Sequence, residues 1–537
     1  MFDNNSLQNP YASNRSVLFA KKAMVATSQP LAAEIGLDIM KKGGNAIDAA
    51  IATAAALTVV EPTGCGIGGD AFALVWFKNK LHGLNASGEA PQKLTPQELN
   101  KQGHQEMPLY GWLPVTVPGT PASWIALSKK FGVLPFKDLL QPAIDLAAEG
   151  FPVSPVISYL WKRSFDNFKG KFTQQSTSHW FTTFAPKGRA PHAGEMFSSP
   201  GHARTLAMLA QSECASFYTG ELADEIDSFC QKTGGLLRKS DLESYQVEWV
   251  DPIKVNYRGY DVWEIPPNGQ GVVALMGLNI AKHFKFTDRE SVESYHQQIE
   301  AMKLAYIDGH EHITQTDSMR VSVADLISDE YGKARQQLIG DEALMPIAGN
   351  PRAGGTVYLS TADSDGNMVS FIQSNYHGFG SGVVVPNTGI AMQNRGHNFS
   401  LDPTHVNYLQ PGKKTFHTII PGFITKGKEA VGAFGVMGGF MQPQGHMQMI
   451  INMTDFKLNP QASLDAPRWQ WMGAKKVGLE PSVPQHIVQG LRAKGHDIEI
   501  ATEPTSYGRG QIILRNPETG VLCGGTESRT DGHIACF

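Results

Sequence analysis

The sequence has few cysteines and no paired arrangement of them. It contains 5 Cys in 537 residues, they are widely spaced, and no C-x-x-C occurs. An odd, scattered set argues against a disulfide-built scaffold and against the usual zinc-ribbon spacing. We therefore expect reduced, mostly buried thiols, as in proteins of a reducing compartment.

Long apolar runs and an excess of basic charge are also missing. Near the N-terminus the apolar runs are short and are interrupted by Lys21 and Lys22. We therefore expect neither a secretory signal nor a transmembrane span. The formal net charge is −4, which gives no electrostatic reason to bind nucleic acid or an anionic membrane. These absences predict a cytoplasmic protein without nucleic-acid or membrane partners.

What is present is an ordinary globular composition, 41% hydrophobic and 18% charged, with clear helical patterns near the start. Residues 28–60 predict two helices. Ser28 is a candidate N-cap with Pro30 in the first turn, and Gly43-Gly44 ends the first helix. The stretch 46–60 is Ala-rich and apolar nearly all round, which predicts a buried helix.

The last third of the sequence is rich in strand patterns. A hairpin is predicted to turn at Asp365–Asn367, with further strands at 380–386 and 389–394. A strand over 430–437 ends on two glycines, and 444–456 resembles a helix packed behind it. No internal repeat or low-complexity linker separates this region from the helical one. The sequence therefore predicts an α+β protein with one shared core.

Two patterns could indicate nucleotide or metal chemistry, and both are weak. The glycines of 64–69 lead into a strand rather than into a helix that opens with Lys-Ser or Lys-Thr, so a phosphate loop is not indicated. His310 and His312 are two positions apart, which does not place them on one helix face, and no third ligand is evident. We predict no metal and no cofactor.

The most informative short segment is Gly354-Gly355-Thr356, which follows Arg352-Ala353. A small, flexible pair directly precedes a threonine that opens a strand. Glycine permits the unusual backbone in which a side chain can attack its own preceding carbonyl. By itself the segment is a weak signal, because most Gly-Gly-Thr sequences are turns that enter strands, so its interpretation depends on the rest of the chain.

Four ordered blocks carry a resemblance to the γ-glutamyltranspeptidases. The blocks are GGNAIDAAIATAAALTVVEPTGCGIGGDAF at 43–72, the segment 234–271, GGTVYLSTADSDGNMVSFIQSNY at 354–376, and 434–469. This resemblance implies the N-terminal-nucleophile hydrolase fold, a four-layer αββα sandwich of the α+β class. It also implies autocleavage into a large subunit, 1–355, and a small subunit, 356–537, which together remain one domain.

The resemblance assigns the reacting groups residue by residue. Thr356 falls on the family's nucleophile, which in the precursor attacks the carbonyl of Gly355. Cleavage frees an α-amine with a pKa of roughly 7.7–8.0, a suitable base for the hydroxyl proton. Ser374 falls where the family has an orienting hydroxyl, with an ordinary strand serine as the alternative. Gly438 and Gly439 match the pair whose backbone N–H groups form the oxyanion hole.

The substrate side departs from the typical pattern. The arginine that holds the α-carboxylate of a γ-glutamyl group is replaced by Ser87, and an arginine used by some shorter members is Glu89. The aspartate that holds the α-amine becomes Asn398. The other aligned substrate positions are Arg395, Tyr376, His417 and Thr418, in place of Gln, Asn and two hydroxyl residues.

These substitutions shape the expected function. Asn398 weakens a site for an ammonium group, whereas Arg395 offers a carboxylate clamp, with a structural ion pair as the alternative. We expect a self-processing, γ-glutamyltransferase/glutathione hydrolase-like enzyme that cleaves a γ-glutamyl or similar carboxylate-bearing amide through an acyl-enzyme. The alternatives are an amidohydrolase of oxamate or glutaryl amides, and a non-catalytic homologue that binds a small carboxylate.

The same resemblance sets the expected partners. The chain is most similar to the branch of the family with TVYL, QNRG and HTIIP motifs. We expect a small-molecule amide substrate and a heterodimer of the two processed fragments. Water and an amine are both candidate acceptors, and assembly beyond the heterodimer stays open.

Overall fold

Two seven-stranded sheets stack face to face between layers of helices. The computed structural model describes residues 15–346, 355–503 and 505–537. Within these ranges the strands are β1 (Leu18–Ala20), β2 (Ala23–Thr27), β3 (Asp70–Phe77), β4 (Lys80–Ala86), β5 (Phe151–Pro152), β6 (Met196–Phe197), β7 (Glu248–Val250), β8 (Ile253–Tyr257), β9 (Tyr260–Glu264), β10 (Gly355–Asp363), β11 (Met368–Tyr376), β12 (Gly422–Lys426), β13 (Glu429–Met437), β14 (Trp469–Gly473), β15 (Lys476–Leu479), β16 (Asp497–Ile500), β17 (Arg509–Arg515), β18 (Leu522–Thr526) and β19 (His533–Cys536).

Helices cover the outer face of each sheet. They are α1 (Pro30–Lys41), α2 (Ala46–Val60), α3 (Pro96–Lys101), α4 (Thr120–Phe131), α5 (Phe136–Glu149), α6 (Pro155–Phe168), α7 (Gln175–Phe184), α8 (Pro200–Ser212), α9 (Ala215–Tyr218), α10 (Glu221–Lys232), α11 (Lys239–Glu243), α12 (Gly271–Ala281), α13 (Val292–His312), α14 (Val323–Leu326), α15 (Asp329–Gln336), α16 (Met441–Thr454), α17 (Pro460–Asp465) and α18 (Gln485–Ala493). Helices α1 and α2 pack on one sheet, and α12 and α16 pack on the other.

The sheet order interleaves distant parts of the chain. The first sheet runs β19-β2-β10-β11-β3-β4-β7, and the second runs β1-β18-β17-β13-β12-β9-β8. Their facing sides share an apolar layer that includes Phe72, Tyr358, Phe423 and Ile513. The predicted α+β, four-layer αββα arrangement is confirmed.

The first two helices are predicted correctly, except for the residue that caps α1. Every residue of α2 is buried, and its small alanines allow close packing on the first sheet. The first residue of α1 is Pro30, and the N-cap is Gln29, without a side-chain capping bond. The predicted cap, Ser28, instead donates its hydroxyl to buried Glu61. That acid lies far along the chain, so a local pattern does not reveal it.

The predicted hairpin is confirmed, whereas the two strands expected after it are not formed. Strands β10 and β11 pair antiparallel around the turn at 364–367. Between 380 and 394 there are two isolated bridges, Val384 to Ala391 and Met392 to Gly68, and no strand. Gly380, Gly382 and Gly389 all have left-handed backbone, which interrupts an extended run.

No described helix is both long enough and apolar enough to cross a lipid bilayer. All five cysteines lie in described ranges and carry free thiols, three of them buried. The expectation of unpaired, mostly buried thiols is confirmed.

Candidate active site

The predicted nucleophile and its predicted partner are in direct contact. Thr356 is the second residue of β10 and is fully buried, and its Oγ1 lies 3.1 Å from Ser374 Oγ. The strand register shifts here, since Gly355 pairs with Tyr376 whereas Val357 pairs with Gln373. The resulting bulge aims Ser374 at the start of β10. The hydroxyl of Ser374 also accepts the backbone N–H of Tyr376 at 2.8 Å, which fixes its position.

The glycine-rich loop before β3 lies along the backbone of Thr356. A Cβ atom on Gly64 would sit 3.0 Å from the Thr356 carbonyl oxygen, so only glycine lets the loop approach this closely. The carbonyl of Gly64 also accepts the N–H of Asn375 at 3.2 Å. The loop therefore serves as a close-packed support for Thr356. The predicted segment Arg352–Gly354 lies outside the described residues.

The two predicted oxyanion glycines lie at the same end of the sandwich as Thr356. Gly435 of β13 faces the ring of Tyr358, where a Cβ atom would be 2.4 Å away. Thr356 lies two residues before Tyr358 on β10, and Gly438 lies three residues after Gly435, just past the end of β13. Because a strand advances about 3.3 Å per residue, both residues lie within a short distance of the Tyr358–Gly435 contact. Gly438 and Gly439 have φ values of +139° and +59°, which turn the chain sharply after β13.

A glutamine that the sequence did not single out supports this turn. Gln270, just before α12, donates its Nε2 to the carbonyl of Gly439 at 2.9 Å and to that of Thr418 at 2.6 Å. Both partners are predicted site residues from different segments. Gln270 therefore holds the candidate oxyanion turn against the candidate substrate-binding segment.

The predicted acyl-binding residues form one hydrogen-bonded group. Arg395 is 1% exposed and donates its Nη1 to Thr418 Oγ1 at 2.6 Å. The ring of Tyr376 covers its guanidinium, with 4.3 Å between Cζ and the ring centroid. The Tyr376 hydroxyl donates to Asn398 Oδ1 at 2.5 Å, and Asn398 Nδ2 donates to the Phe416 carbonyl at 3.0 Å. Asn398 thus orients the tyrosine that covers the arginine.

Asp70 is a buried acid in this group that sequence reasoning missed. It is the first residue of β3 and pairs across the strands with Ser374. Its Oδ2 lies 3.0 Å from His417 Nε2 and 3.7 Å from Arg395 Nε. The sequence did contain a signal, since Asp70 stands alone between two glycines and an apolar strand and is therefore expected to be buried. A fully buried carboxylate requires a partner.

The proton positions in this group follow from the contacts. The backbone N–H of Ile419 donates to His417 Nδ1 at 3.3 Å, so the ring proton is on Nε2 and points at Asp70. Burial lowers the pKa of His417 well below its usual value, so the ring is neutral. Burial raises the pKa of Asp70 to about 7, although Arg395 opposes the rise. Burial also lowers the pKa of Arg395 to about 10, and the guanidinium stays charged at neutral pH.

Three buried polar atoms of this group have no hydrogen-bond partner among the described residues. They are Asp70 Oδ1 and the Nε and Nη2 atoms of Arg395. Buried polar atoms in proteins are nearly always paired with protein or with water. The two guanidinium donors are therefore suited to a polar group of a ligand.

The loop that replaces the family's carboxylate-binding arginine provides no substitute. The Ser87 hydroxyl donates to Asn85 Oδ1 at 2.7 Å and is buried. Glu89 lies 3.6 Å from Lys414, which also contacts Glu248 at 2.6 Å. The charge of Lys414 is thus compensated within the protein.

Two cavities border this group of residues. The smaller one, of about 250 Å³, is lined by Tyr376, Asn398 and Phe440. The larger one, of about 370 Å³, is lined by His377 and Gly438. Tyr376 lines the smaller cavity and its neighbour His377 lines the larger one, and Phe440 and Gly438 are divided in the same way.

A family match agrees with this geometry. Residues 32–537 match the family described as Gamma-glutamyltranspeptidase. The chain belongs to the γ-glutamyltranspeptidase family. Like its relatives, this γ-glutamyltranspeptidase-family chain is an amidohydrolase or transferase with the N-terminal-nucleophile hydrolase fold, as the sequence predicted.

Proteins similar to this γ-glutamyltranspeptidase-family chain carry names with different substrates. It is 36% identical to the glutathione hydrolase-like YwrD proenzyme of Bacillus subtilis, over 97% of this chain and 99% of that protein. It is 33% identical to the oxamate amidohydrolase proenzyme of Klebsiella pneumoniae, over 96% and 98%. The crystal structure of a cephalosporin acylase from Bacillus halodurans superposes with a TM-score of 0.97 at 60% identity, covering 100% of this chain and 99% of that one.

Proposed function

We propose that this protein is a self-processing amidohydrolase that uses Thr356 as an N-terminal nucleophile and cleaves amides whose acyl group carries a carboxylate. The observation that carries the proposal is the contact of 3.1 Å between the hydroxyls of Thr356 and Ser374. It lies at the end of the sandwich where the chain turns at Gly438-Gly439.

Processing begins with the hydroxyl of Thr356 in the intact chain. Its Oγ1 attacks the carbonyl carbon of Gly355, and the amide nitrogen of Thr356 takes a proton as the C–N bond breaks. The product is an ester between Gly355 and the threonine side chain. Water then hydrolyses the ester, which leaves a carboxylate on Gly355 and a free α-amine on Thr356.

The freed amine then serves as the base for the same hydroxyl. It accepts the Oγ1 proton while the oxygen attacks the substrate carbonyl, and the N–H groups of Gly438 and Gly439 receive the developing oxyanion. The protonated amine passes its proton to the leaving nitrogen. The acyl-enzyme is released by water, or by a second amine if one is bound.

The acyl specificity rests on Arg395. Its Nη2 atom has no hydrogen-bond partner among the described residues and its Nε lies 3.7 Å from Asp70 without a hydrogen bond, so the guanidinium favours a carboxylate on the acyl group. Asn398 is engaged by Tyr376 and by the Phe416 backbone, so it contributes no acid for an α-amine. Glutaryl-type acyl groups are thus expected to be accepted as well as γ-glutamyl groups.

The test is processing followed by turnover. Purified wild type is expected to run on a denaturing gel as fragments of 355 and 537 − 355 = 182 residues, with Thr356 at the new N-terminus by sequencing. Thr356→Ala is expected to stay one chain, because it has no hydroxyl, whereas Thr356→Ser is expected to process slowly. Cleavage of the alanine variant at the same bond would refute self-processing by Thr356.

Mature enzyme is then given γ-glutamyl, glutaryl and oxamate amides. We expect turnover of at least one of the two five-carbon acyl donors, and no turnover of an otherwise identical butyryl amide that lacks the carboxylate. Equal cleavage of glutaryl and butyryl amides would refute the proposed selection of acyl groups that carry a carboxylate. It would not contradict the role of Thr356 as nucleophile.

A further inference from the structure

The turn that carries the two candidate oxyanion glycines is held through its carbonyl groups. The carbonyl of Gly438 accepts the N–H of Met441 at 3.0 Å, and the carbonyl of Gly439 accepts the N–H of Gln442 at 3.2 Å. In a trans peptide the C=O and the N–H point in opposite directions. Because the Gly438 carbonyl is held in this way, the direction of the Gly439 N–H is fixed as well.

Two side chains from distant parts of the sequence hold the same turn. Gln270, fully buried before α12, donates its Nε2 to the Gly439 carbonyl at 2.9 Å and to the Thr418 carbonyl at 2.6 Å. Since both neighbours are acceptors, the amide of Gln270 must present its nitrogen to them. Tyr306 of α13 is also fully buried, and its hydroxyl donates to the Phe440 carbonyl.

The contact of Tyr306 reaches the Gly439 N–H through one intermediate peptide group. The Phe440 carbonyl and the Met441 N–H belong to the same peptide group, and that N–H binds the Gly438 carbonyl. Tyr306 therefore restrains this peptide group and, through it, the one that carries the Gly439 N–H.

Both side chains precede the proposed cleavage point, whereas the two glycines follow it. Gln270 and Tyr306 lie in the fragment 1–355, and Gly438 and Gly439 lie in the fragment 356–537. A hydrogen-bond donor is effective at a reacting centre only if it is held within about 0.5 Å of its productive position. The contacts from the large fragment supply restraint of this kind to a turn of the small fragment.

We propose that Gln270 and Tyr306 are positioning residues for the oxyanion hole, and that the large fragment thereby sets the geometry of a site built on the backbone of the small fragment. The inference rests on the proposed function, since it needs an oxyanion to form at Thr356. Both residues act through the backbone of 438–441. Removing one oxyanion donor lowers kcat by about 10²–10³-fold, so a donor that is merely displaced is expected to lose part of that factor.

The experiment compares two inhibitors of the mature enzyme that differ only at the reacting centre. One is butyrate, and the other is butyrate that carries a boronic acid on its last carbon, in the place of the scissile carbonyl of a glutaryl amide. The Thr356 oxygen adds to boron, its proton passes to the α-amine, and the boron becomes tetrahedral and negatively charged. One boron-bound oxygen then occupies the oxyanion position, so the ratio of the butyrate inhibition constant to that of the boronic acid measures oxyanion binding.

Two variants remove the positioning contacts one at a time. Gln270→Leu is expected to lower the ratio about tenfold and kcat for glutaryl amides by a similar factor, with little change in the inhibition constant of butyrate. Tyr306→Phe removes a single oxygen and is expected to lower the ratio only about threefold. Its effect is smaller because the Nε2 of Gln444 also holds the Phe440 carbonyl, at 3.2 Å.

Each variant has a matched control away from the turn. Gln448 of α16 is buried and donates its Nε2 to the carbonyls of Gln444 and Trp469, at 3.1 and 3.0 Å. Tyr257 of β8 is buried and donates its hydroxyl to Asp455 at 2.8 Å. Gln448→Leu and Tyr257→Phe therefore lose comparable buried hydrogen bonds, and both are expected to keep the wild-type ratio.

The outcomes separate this inference from the proposed function. A variant that keeps the wild-type ratio, or whose control lowers the ratio as much, removes its residue from the proposal and leaves the amidohydrolase intact. Tyr306→Phe decides by itself if Gln270→Leu does not fold or process. If the wild type binds the boronic acid no more tightly than butyrate, no oxyanion is stabilised at Thr356 and the proposed function itself fails.

Discussion

Among single side chains, Arg395 has the largest expected effect on which acyl groups bind. Arg395→Gln is expected to lower kcat/KM for glutaryl and γ-glutamyl amides alike by about ten- to a hundredfold, mainly through KM, because a charged hydrogen bond contributes about 1.5–3 kcal/mol. Steady-state kinetics on both donors measures this.

The same substitution leaves Asp70 buried without its cation, so the double variant Arg395→Gln/Asp70→Asn is the matched control. It removes both charges together and is expected to process normally. An unchanged KM in both variants would assign Arg395 to a structural ion pair, the alternative that the sequence left open.

Asp70 predicts a pH dependence of acyl binding with a definite sign. Its pKa is raised to about 7, so below neutrality the carboxyl is protonated and leaves the Arg395 charge available. Above neutrality the ionised carboxylate competes with the ligand for that charge. Glutarate is therefore expected to bind less tightly at high pH, with an inhibition constant about tenfold larger at pH 8 than at pH 6.

Asp70→Asn removes the titrating group and is expected to flatten this profile, measured as competitive inhibition across the same range. A variant that keeps the full wild-type dependence would assign the titration to another group.

Sequence reasoning singled out residues that lie in local patterns or in blocks of family resemblance, and it did not single out Asp70 or Gln270. Thr356 and Ser374 lie in one hairpin that a family resemblance covers as a block. Asp70 is hydrogen-bonded to His417, which is 347 positions away in the sequence. Gln270 likewise connects two segments that only the fold brings together. In both cases a buried polar side chain is hydrogen-bonded to a residue far away in the sequence, and a local sequence pattern does not identify that residue.

At the scale of elements, the turn after β13 is expected to be the least tolerant point of the site. Gly438→Ala places a Cβ atom at φ +139° and 3.0 Å from Gly508 Cα. Both effects are expected to displace the backbone N–H proposed to stabilise the oxyanion. We expect kcat to fall by about 10²–10³-fold, as for other lost oxyanion donors.

Gly427→Ala is the matched control for backbone strain. Gly427 also has a left-handed φ, +60°, in the exposed turn between β12 and β13, and a Cβ atom there would meet nothing within 4 Å. It is expected to lose about 1 kcal/mol of stability and to keep full turnover. If the two variants lose the same activity, strain alone explains the Gly438 result.

Helices and strands were predicted correctly where the pattern of apolar residues was not interrupted. Helix α2 and the hairpin β10–β11 each carry their pattern within a single stretch. The predicted strands at 380–386 and 389–394 failed because their apolar residues are separated by backbone in the left-handed region, at Gly382 and Asn387 for example. Apolar residues there pack into the core as loops, which a pattern of hydrophobicity does not distinguish from strands.

At the scale of the whole molecule, the proposed cleavage would divide both sheets. Fragments 1–355 and 356–537 would share the ladders β19–β2, β2–β10 and β11–β3 in one sheet, and β1–β18 and β12–β9 in the other. We expect the processed fragments to co-elute in gel filtration and to separate only in denaturant.

Separate production of the two fragments tests the same feature. Each one alone would expose several unpaired strand edges, which promote aggregation. We therefore expect each fragment to be insoluble when expressed by itself, and the 356–537 fragment to bind no glutarate. A soluble, folded large fragment would show that the shared ladders are dispensable.

The interleaved sheets also have a consequence for how the protein is made. Strand β2 lies between β10 and β19, and β19 is the last of this sheet's seven strands to leave the ribosome. The first sheet therefore cannot be completed until translation has passed its final strand. The peptide bond before Thr356 would keep both halves covalently linked throughout synthesis. They are then produced in equal amounts, and their association is intramolecular rather than limited by diffusion.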